Sequence, residues 1–194
     1  GIENIDTRAL TLHLRNHGSQ NAVLFYPEDR EKAEKKLASF PLITERNLID
    51  GVSVRKAIAD PDLGEGFMTA PKTPDLHFAV INYGIKRSII NSLYKENIKV
   101  TLLPHTADIS DVLAIHPDAL FLSNGPGDPA LLKDAVKLAS DAIGKLPVEG
   151  ICLGHQIITI AIGGRTVKMK FGHHGSNHPV RDMLTGRTFV TAQN

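Results

Sequence analysis

From Leu76 onward, apolar and polar residues follow two different periodic patterns in turn. Short apolar runs are typical of buried strands, whereas apolar residues spaced three and four positions apart are typical of amphipathic helices. The runs predict strands over residues 76–81, 98–103, 119–122 and 146–151, and the helical spacing predicts helices near 85–93, 109–115, 132–143 and 155–162. Because strands and helices alternate with short connections, the sequence predicts an α/β fold: an open, mostly parallel sheet with helices on both faces.

The N-terminal part of the chain predicts a different kind of structure. A helix is predicted over residues 7–17, because Asp6 is a good N-cap and Gly18 is a good residue to end it. A charged helix is predicted over 28–39, and the apolar run at 23–26 predicts a strand between the two helices. The charges of the second helix indicate a solvated face.

A segment of linker composition separates these elements from the α/β part. Residues 60–74 contain three prolines and two glycines, which favour turns over regular structure. We therefore predict that residues 1–75 are the tail of a smaller N-terminal domain with its linker, and that residues 76–194 are the α/β domain. Because the chain begins with glycine and stops directly after a strand-like run, we read it as a fragment that lacks both ends.

Composition and charge exclude several classes of protein. The 194 residues carry a formal net charge of +1, which gives no electrostatic reason for binding nucleic acid or an anionic membrane. The apolar runs are too short to span a bilayer. A single cysteine excludes an internal disulfide and suits a reducing compartment. The expected location is the cytoplasm, with a plastid as the alternative.

The single cysteine, Cys152, lies in the sequence Gly-Ile-Cys-Leu-Gly between a predicted strand and a predicted helix. A lone cysteine is most often a small buried hydrophobic residue. The flanking Gly150 and Gly154 favour a nucleophile elbow instead, because glycines permit the sharp strand-to-helix turn that exposes a nucleophile at the sheet edge. The N-terminus of a helix also favours a thiolate over a thiol.

A second glycine-rich loop, Asn-Gly-Pro-Gly-Asp-Pro at residues 124–129, follows the predicted strand 119–122. Taken alone, it would be interpreted as a stiff turn. If strands 119–122 and 147–151 are neighbours, their carboxyl ends meet and the loop lies beside the cysteine turn. The backbone N–H of one of the loop glycines, together with that of Leu153, would then form an oxyanion hole for thiolate attack on an amide or ester.

Four separated stretches resemble one family. Residues 121–129 (FLSNGPGDP) and 150–156 (GICLGHQ) resemble the class I glutamine amidotransferases. The tract 166–180, residues 1–14 and the terminal Thr-Ala-Gln-Asn narrow the resemblance to the small, glutamine-hydrolysing subunits of carbamoyl-phosphate synthetases. The resemblance covers nearly the whole chain and is weakest between about residues 29 and 76.

This resemblance implies a flavodoxin-like fold, a reaction and a set of site residues. Cys152 matches the nucleophile that forms a glutamyl thioester, and the backbone at Gly125 and Leu153 matches the positions that stabilise the oxyanion. The positions that hold the substrate L-glutamine match Gly125, Gly127, Leu153, Gln156 and Asn194. The implied reaction is hydrolysis of the glutamine side-chain amide to glutamate and ammonia.

The resemblance also implies a partner. In the family, ammonia passes through a tunnel to a large subunit, which combines it with bicarbonate and phosphate from ATP into carbamoyl phosphate for arginine and pyrimidine biosynthesis. No cofactor is therefore expected in this chain, because ATP, Mg²⁺ and bicarbonate are used by the large subunit. A heterodimer is implied, in which residues 1–75 resemble the tail of the domain that docks on the large subunit.

The sequence departs from the family at three places. The family's His-Gly-Phe after the terminal asparagine is absent, and so is its later His-Pro-Glu, which supplies the histidine base and its orienting carboxylate. An acidic residue of the family is Asn82 here. The fragment is therefore expected to lack full activity.

Other histidines are weaker candidates for chemistry. His155 shares a helical face with Cys152 by its spacing, but packing or a local backbone hydrogen bond is expected for it. His173, His174 and His178 lie among glycines and a proline, with no carboxylate or second cysteine nearby in sequence. A structural loop is therefore expected there rather than a metal site.

Three other interpretations stay open on the sequence alone. The chain would also suit an amidotransferase that serves another acceptor, such as chorismate or a nucleotide, or an inert fragment that only binds the large subunit. A cysteine-based redox or stress protein is the third, with Glu149 as the only candidate for an acidic residue near the elbow. No phosphate-binding G-x-x-x-x-G-K-[ST] sequence is present, which gives no support for nucleotide binding within this chain.

Overall fold

The computed structural model describes residues 2–193, and their contacts divide them into two units. In chain order the helices and strands are α1 (Thr7–His17), α2 (Arg30–Ser39), β1 (Ile58–Ala59), β2 (Leu76–Asn82), α3 (Arg87–Lys95), β3 (Ile98–Pro104), α4 (Ile109–Ala114), β4 (Ala119–Leu122), α5 (Lys133–Ala142), β5 (Val148–Gly150), α6 (Leu153–Ala161), β6 (Gly175–Arg181) and β7 (Thr188–Gln193). None of the helices formed by residues 2–193 has the length and apolar character needed to cross a bilayer.

The larger unit, residues 41–166, is built on a five-stranded sheet with the strand order β1-β3-β2-β4-β5. The four strands β2 to β5 run parallel, and the short β1 pairs antiparallel with β3 at one edge. Parallel strands are usually covered on both faces, which explains why β2, β3 and β4 read as nearly continuous apolar runs.

Alternate residues of β2 point to opposite faces of this sheet. Ala79 and Ile81 belong to a core that includes residues of α4, α5 and α6, whereas Phe78 and Val80 belong to a second core with α3. All four side chains are buried. The predicted α/β fold, an open and mostly parallel sheet with helices on both faces, is confirmed.

The segment 60–74 is irregular, as its linker composition predicted, but it packs against this unit. Leu63 is only 3% exposed and joins the core beside α3. The hydroxyl of Tyr94 on α3 donates a hydrogen bond to the carbonyl oxygen of Pro61 at 3.0 Å. Proline and glycine therefore mark the lack of regular structure here and not a lack of packing. The assignment of residues 1–75 to a docking domain and linker stays a prediction.

The second unit contains α1, α2 and the hairpin of β6 and β7. The side chain of Asp6 accepts a hydrogen bond from the Ala9 N–H at 2.8 Å and caps α1, and Gly18 follows the helix with φ 88°. The predicted charged helix is α2, which a short 3-10 turn precedes. The predicted strand over 23–26 is wrong: this segment is irregular, because no strand among the described residues pairs with it.

The loop predicted around His173, His174 and His178 is wrong in part. His178 belongs to β6, which pairs antiparallel with β7 with a register shift near its start. The glycines and the proline of this stretch favoured a loop locally, but pairing with the later strand decides the conformation. The rings of His173 and His178 stack with their centroids 4.6 Å apart.

Candidate active site

Cys152 occupies the turn between β5 and α6, as predicted. Its backbone has φ 54° and ψ −107°, a region that residues other than glycine rarely adopt. Such a conformation costs about 1–3 kcal/mol and is concentrated at functional sites. Cys152 is exposed, whereas the next residue, Leu153, is 1% exposed and packs into the core. The interpretation of Cys152 as a buried core residue is therefore wrong.

Two glycines let α6 begin directly against the sheet. A Cβ atom on Gly154 would lie 2.0 Å from the carbonyl oxygen of Leu122 at the end of β4. A Cβ on Gly150 would lie 2.6 Å from the carbonyl carbon of Gly154. Side chains do not tolerate either distance, so the glycines that flank Cys152 are required by the close approach of α6 to β4 and to its own preceding strand.

β4 and β5 are parallel neighbours, with Leu122 opposite Gly150. The N–H of Ile151 donates to the carbonyl oxygen of Leu122 at 3.1 Å and extends this pairing by one residue. The two strands therefore end at the same edge of the sheet. The glycine-rich loop 124–129 and the cysteine turn begin side by side, which confirms the predicted adjacency of the two strands.

Gly125 lies between the end of β2 and the start of α6. A Cβ at this position would be 2.3 Å from the carbonyl oxygen of Tyr83 and 2.9 Å from Cδ2 of Leu153. Only glycine fits this site, because the neighbouring backbone cannot withdraw as a flexible side chain would. Gly127 needs to be glycine for a different reason: its φ is 103° and the space around it is open.

The N–H of Leu153 points out of the N-terminus of α6. The carbonyl oxygen of Cys152 accepts a hydrogen bond from the Gln156 N–H at 3.1 Å, as in a regular helix. In a planar trans peptide the C=O and N–H groups point in opposite directions, so the Leu153 N–H of the same peptide points out of the helix N-terminus. Gln156 and His155 are both exposed on this turn, so the expectation that His155 packs in the core is wrong.

Asn82 ends β2 beside this site. Its Oδ1 atom accepts hydrogen bonds from the N–H groups of Gly84 at 2.8 Å and Ile85 at 3.2 Å, and the residue is 6% exposed. The turn therefore uses the side chain as a hydrogen-bond acceptor. Both a carboxamide and a carboxylate carry the necessary oxygen.

The structure brings most of the predicted site residues to one edge of the sheet. Cys152 directly precedes α6, Leu153 and Gln156 lie in its first turn, and Gly125 and Gly127 belong to the adjoining loop. Asn194, the remaining predicted residue, lies outside the described residues. Within residues 2–193, no group of three or more His, Cys, Asp or Glu side chains is placed to hold a metal ion.

Sequence reasoning missed Ser123, the residue between β4 and the glycine-rich loop. It is completely buried, and its hydroxyl hydrogen-bonds to the backbone of Tyr83 and of Asn124. A polar residue that directly follows an apolar strand and precedes a glycine-rich turn is a signal that could have identified it.

Comparison with known proteins agrees with this arrangement. The sequence model of the family "Glutamine amidotransferase class-I" matches residues 79–194. A carbamoyl phosphate synthase small chain of Methanosarcina mazei is 42% identical over 195 residues, which cover 100% of this chain and 52% of the relative. The corresponding protein of Aquifex aeolicus is 43% identical over 199 residues, with 100% and 53% covered.

A plant relative has the same kind of name. The chloroplastic carbamoyl phosphate synthase small chain of Oryza sativa subsp. japonica is 42% identical over 198 residues, which cover 100% of this chain and 44% of the relative. The chain spans about half the length of the curated relatives it matches.

Proposed function

Because the chain belongs to the class I glutamine amidotransferase family, we propose that it hydrolyses the side-chain amide of glutamine as part of a carbamoyl-phosphate synthase small chain. The assignment to a carbamoyl-phosphate synthase small chain is supported by relatives of that name, which are similar along the entire chain. The observation that carries the proposed glutamine hydrolysis is the exposed Cys152 on a strained strand-to-helix turn. This turn lies beside a loop in which Gly125 and Gly127 must be glycine.

The proposed reaction has two halves, acylation and deacylation. In the first, the Cys152 sulfur forms a bond to the side-chain carbonyl carbon of glutamine, and the carbonyl π electrons move to oxygen. The N–H groups of Leu153 and Gly125 donate to this oxyanion. When the carbonyl re-forms, the C–N bond breaks, and the nitrogen takes up a proton and leaves as ammonia. The product on the protein is a glutamyl thioester.

Water ends the cycle. It adds to the thioester carbonyl, the C–S bond breaks, and glutamate and the thiol are released. The family resemblance assigns the acid and base of both halves to the histidine of a His-Pro-Glu motif, which these 194 residues do not contain. Gly127, Gln156 and Asn194 are proposed to hold the glutamine, with Gln156 presented by the exposed first turn of α6.

The ammonia is proposed to pass to a large subunit in a heterodimer. That partner would use ATP, Mg²⁺ and bicarbonate to make carbamoyl phosphate for arginine and pyrimidine biosynthesis, and this chain would hold no cofactor of its own. The word "small" in the names of the relatives supports a larger partner, and a chloroplastic relative supports a plastid as an alternative to the cytoplasm.

The test compares wild-type protein, expressed from its complete gene, with the Cys152→Ala variant. We expect the variant to lose glutamine hydrolysis by at least about a thousandfold, because the nucleophile is gone. Together with the large subunit, the variant should still make carbamoyl phosphate from ammonium chloride, since that route bypasses the thiol. Glutamine hydrolysis at the wild-type rate by Cys152→Ala would refute the proposal.

A labelling experiment separates this function from a redox role. A glutamine-like electrophile should alkylate Cys152 selectively in the protein from the complete gene, and free glutamine should protect the thiol. A redox protein would be favoured instead by two results together. Iodoacetamide would label Cys152 equally with and without glutamine, and the glutamine-like reagent would show no selectivity for Cys152.

A further inference from the structure

Ser123 connects three segments of the candidate active site. Its hydroxyl oxygen accepts a hydrogen bond from the Tyr83 N–H at 3.0 Å, just after β2. The same hydroxyl donates to the carbonyl oxygen of Asn124 at 2.8 Å, in the glycine-rich loop. The Ser123 carbonyl oxygen accepts the N–H of Gly154 in α6 at 3.1 Å. Ser123 itself has no exposed surface.

The hydroxyl of Ser123 fixes one peptide plane in particular. The Asn124 carbonyl that it binds belongs to the same peptide as the Gly125 N–H. Because the two groups point in opposite directions in a planar trans peptide, holding the carbonyl oxygen sets the direction of the N–H. That N–H is one of the two donors assigned to the oxyanion, and such a donor stabilises a transition state only when it is aimed at the developing charge.

The side chain of Asn124 holds the same stretch of loop from its other side. Its Nδ2 donates to the carbonyl oxygen of Gly84 at 3.1 Å, and its Oδ1 accepts from the Lys86 N–H at 3.2 Å. The loop is thus attached to the turn after β2 by two side chains in succession. Ser123 is the buried member of this pair and Asn124 the half-buried one.

We propose that Ser123 is a positioning residue for glutamine hydrolysis. Its hydroxyl aims the Gly125 N–H at the oxyanion, and its carbonyl holds the N-terminus of α6, with Leu153, against the same loop. It acts through the backbone and touches neither substrate nor the reacting sulfur. This inference rests on the glutaminase function proposed above.

The test uses Ser123→Ala in protein expressed from the complete gene. We expect kcat for glutamine to fall about 10- to 100-fold, because misaiming a donor loses part of the 10²- to 10³-fold effect of removing one, while KM changes less than about threefold. A glutamine-like chloromethyl ketone forms a tetrahedral oxyanion during its reaction with the thiol, so its rate should fall in parallel with kcat. Iodoacetamide forms no oxyanion, and its rate with Cys152 should stay within about twofold.

Two further variants make the test specific. Asn124→Ala loosens the same loop at a half-buried position, and kcat should fall in the same direction by a smaller factor. Ser92→Ala is the matched control: its hydroxyl also binds a backbone carbonyl, that of Ser88 at 3.0 Å, but on the exposed side of α3. The kcat of Ser92→Ala should equal that of the wild type.

The outcomes separate this inference from the proposed function. If the wild-type protein does not hydrolyse glutamine, the proposed function fails and the positioning role fails with it. If the wild type is active and Ser123→Ala keeps its kcat and chloromethyl ketone rate within about twofold, only the positioning role is overturned. Equal losses toward iodoacetamide and the ketone would overturn it as well. If Ser123→Ala does not fold, an unchanged kcat in Asn124→Ala overturns the inference and a selective loss supports it.

Discussion

Replacing Gly154 by alanine should disrupt the start of α6. The added Cβ would lie 2.0 Å from the carbonyl oxygen of Leu122, and real Cβ atoms essentially never come closer than 3.0 Å to such an atom. The helix would therefore have to move by at least about 1 Å. That movement would stretch the hydrogen bond from the Gly154 N–H to Ser123, now 3.1 Å, and would lift Ile157 out of the core.

The expected loss of stability follows from three opposing contributions. Overpacking costs about 1–3 kcal/mol, and the lost hydrogen bond costs about 0.5–1.5 kcal/mol. The better helix propensity of alanine offsets about 1 kcal/mol of this loss. The free energy of unfolding should thus fall by about 2 kcal/mol, even though alanine is normally the better helix residue.

Urea unfolding followed by tyrosine fluorescence measures this loss, because Tyr83 and Tyr94 are buried in the same unit as Gly154. The matched control is Gly51→Ala, since no atom lies within 4 Å of a Cβ at Gly51 and its φ is ordinary. The control should stay within about 0.5 kcal/mol of the wild type. If Gly154→Ala is equally harmless, the close contact between α6 and β4 is not present as described.

Two buried tyrosines give the other predictions. Tyr83 is 1% exposed, and its hydroxyl has no hydrogen-bond partner among the described residues. Tyr83→Phe should therefore leave the free energy of unfolding unchanged or raise it by about 1 kcal/mol. A fall of more than about 1 kcal/mol, measured by urea unfolding, would contradict this. Burial, with added effects of Asp60 and Asp62, raises the pKa of Tyr94 from 10.0 to about 12. The unfolded state loses the Tyr94 proton at a lower pH than the folded state does. The contribution of neutral Tyr94 to the free energy of unfolding is therefore complete below about pH 10 and is lost as the pH rises toward 12. The wild type should thus lose more stability than Tyr94→Phe between about pH 9 and 11. Equal losses in the two proteins, measured by urea unfolding, would show that Tyr94 does not titrate in this way.

The parallel part of the sheet was predictable because strands buried on both faces leave continuous apolar runs. The strand predicted over 98–103 is observed as Ile98–Pro104, and that predicted over 119–122 has the same bounds. The pairing of β6 with β7 and the addition of β1 to β3 were not predictable. β1 has only two residues and pairs with a strand much later in the chain, whereas β6 and β7 form a hairpin close in sequence but carry no long apolar run.

The site was predictable where local sequence dictates geometry. Glycines on both sides of Cys152 indicated a tight, exposed turn, and the structure has that turn. The role of Ser123 was hidden, because its hydroxyl bonds to Tyr83, forty positions earlier in the chain. Hydrogen bonds between separate strand ends have no periodic signal in a sequence, so only the three-dimensional arrangement reveals them.

The decisive measurement is mass spectrometry of the peptide that carries Cys152, after acid quenching of the protein during turnover with glutamine. The peptide should gain the mass of one glutamyl group, and hydroxylamine should remove it, as expected of a thioester. The adduct should be missing in the Cys152→Ala variant. An unmodified Cys152 peptide, or an adduct on another residue while glutamine is being hydrolysed, would contradict thiolate attack from the β5–α6 turn.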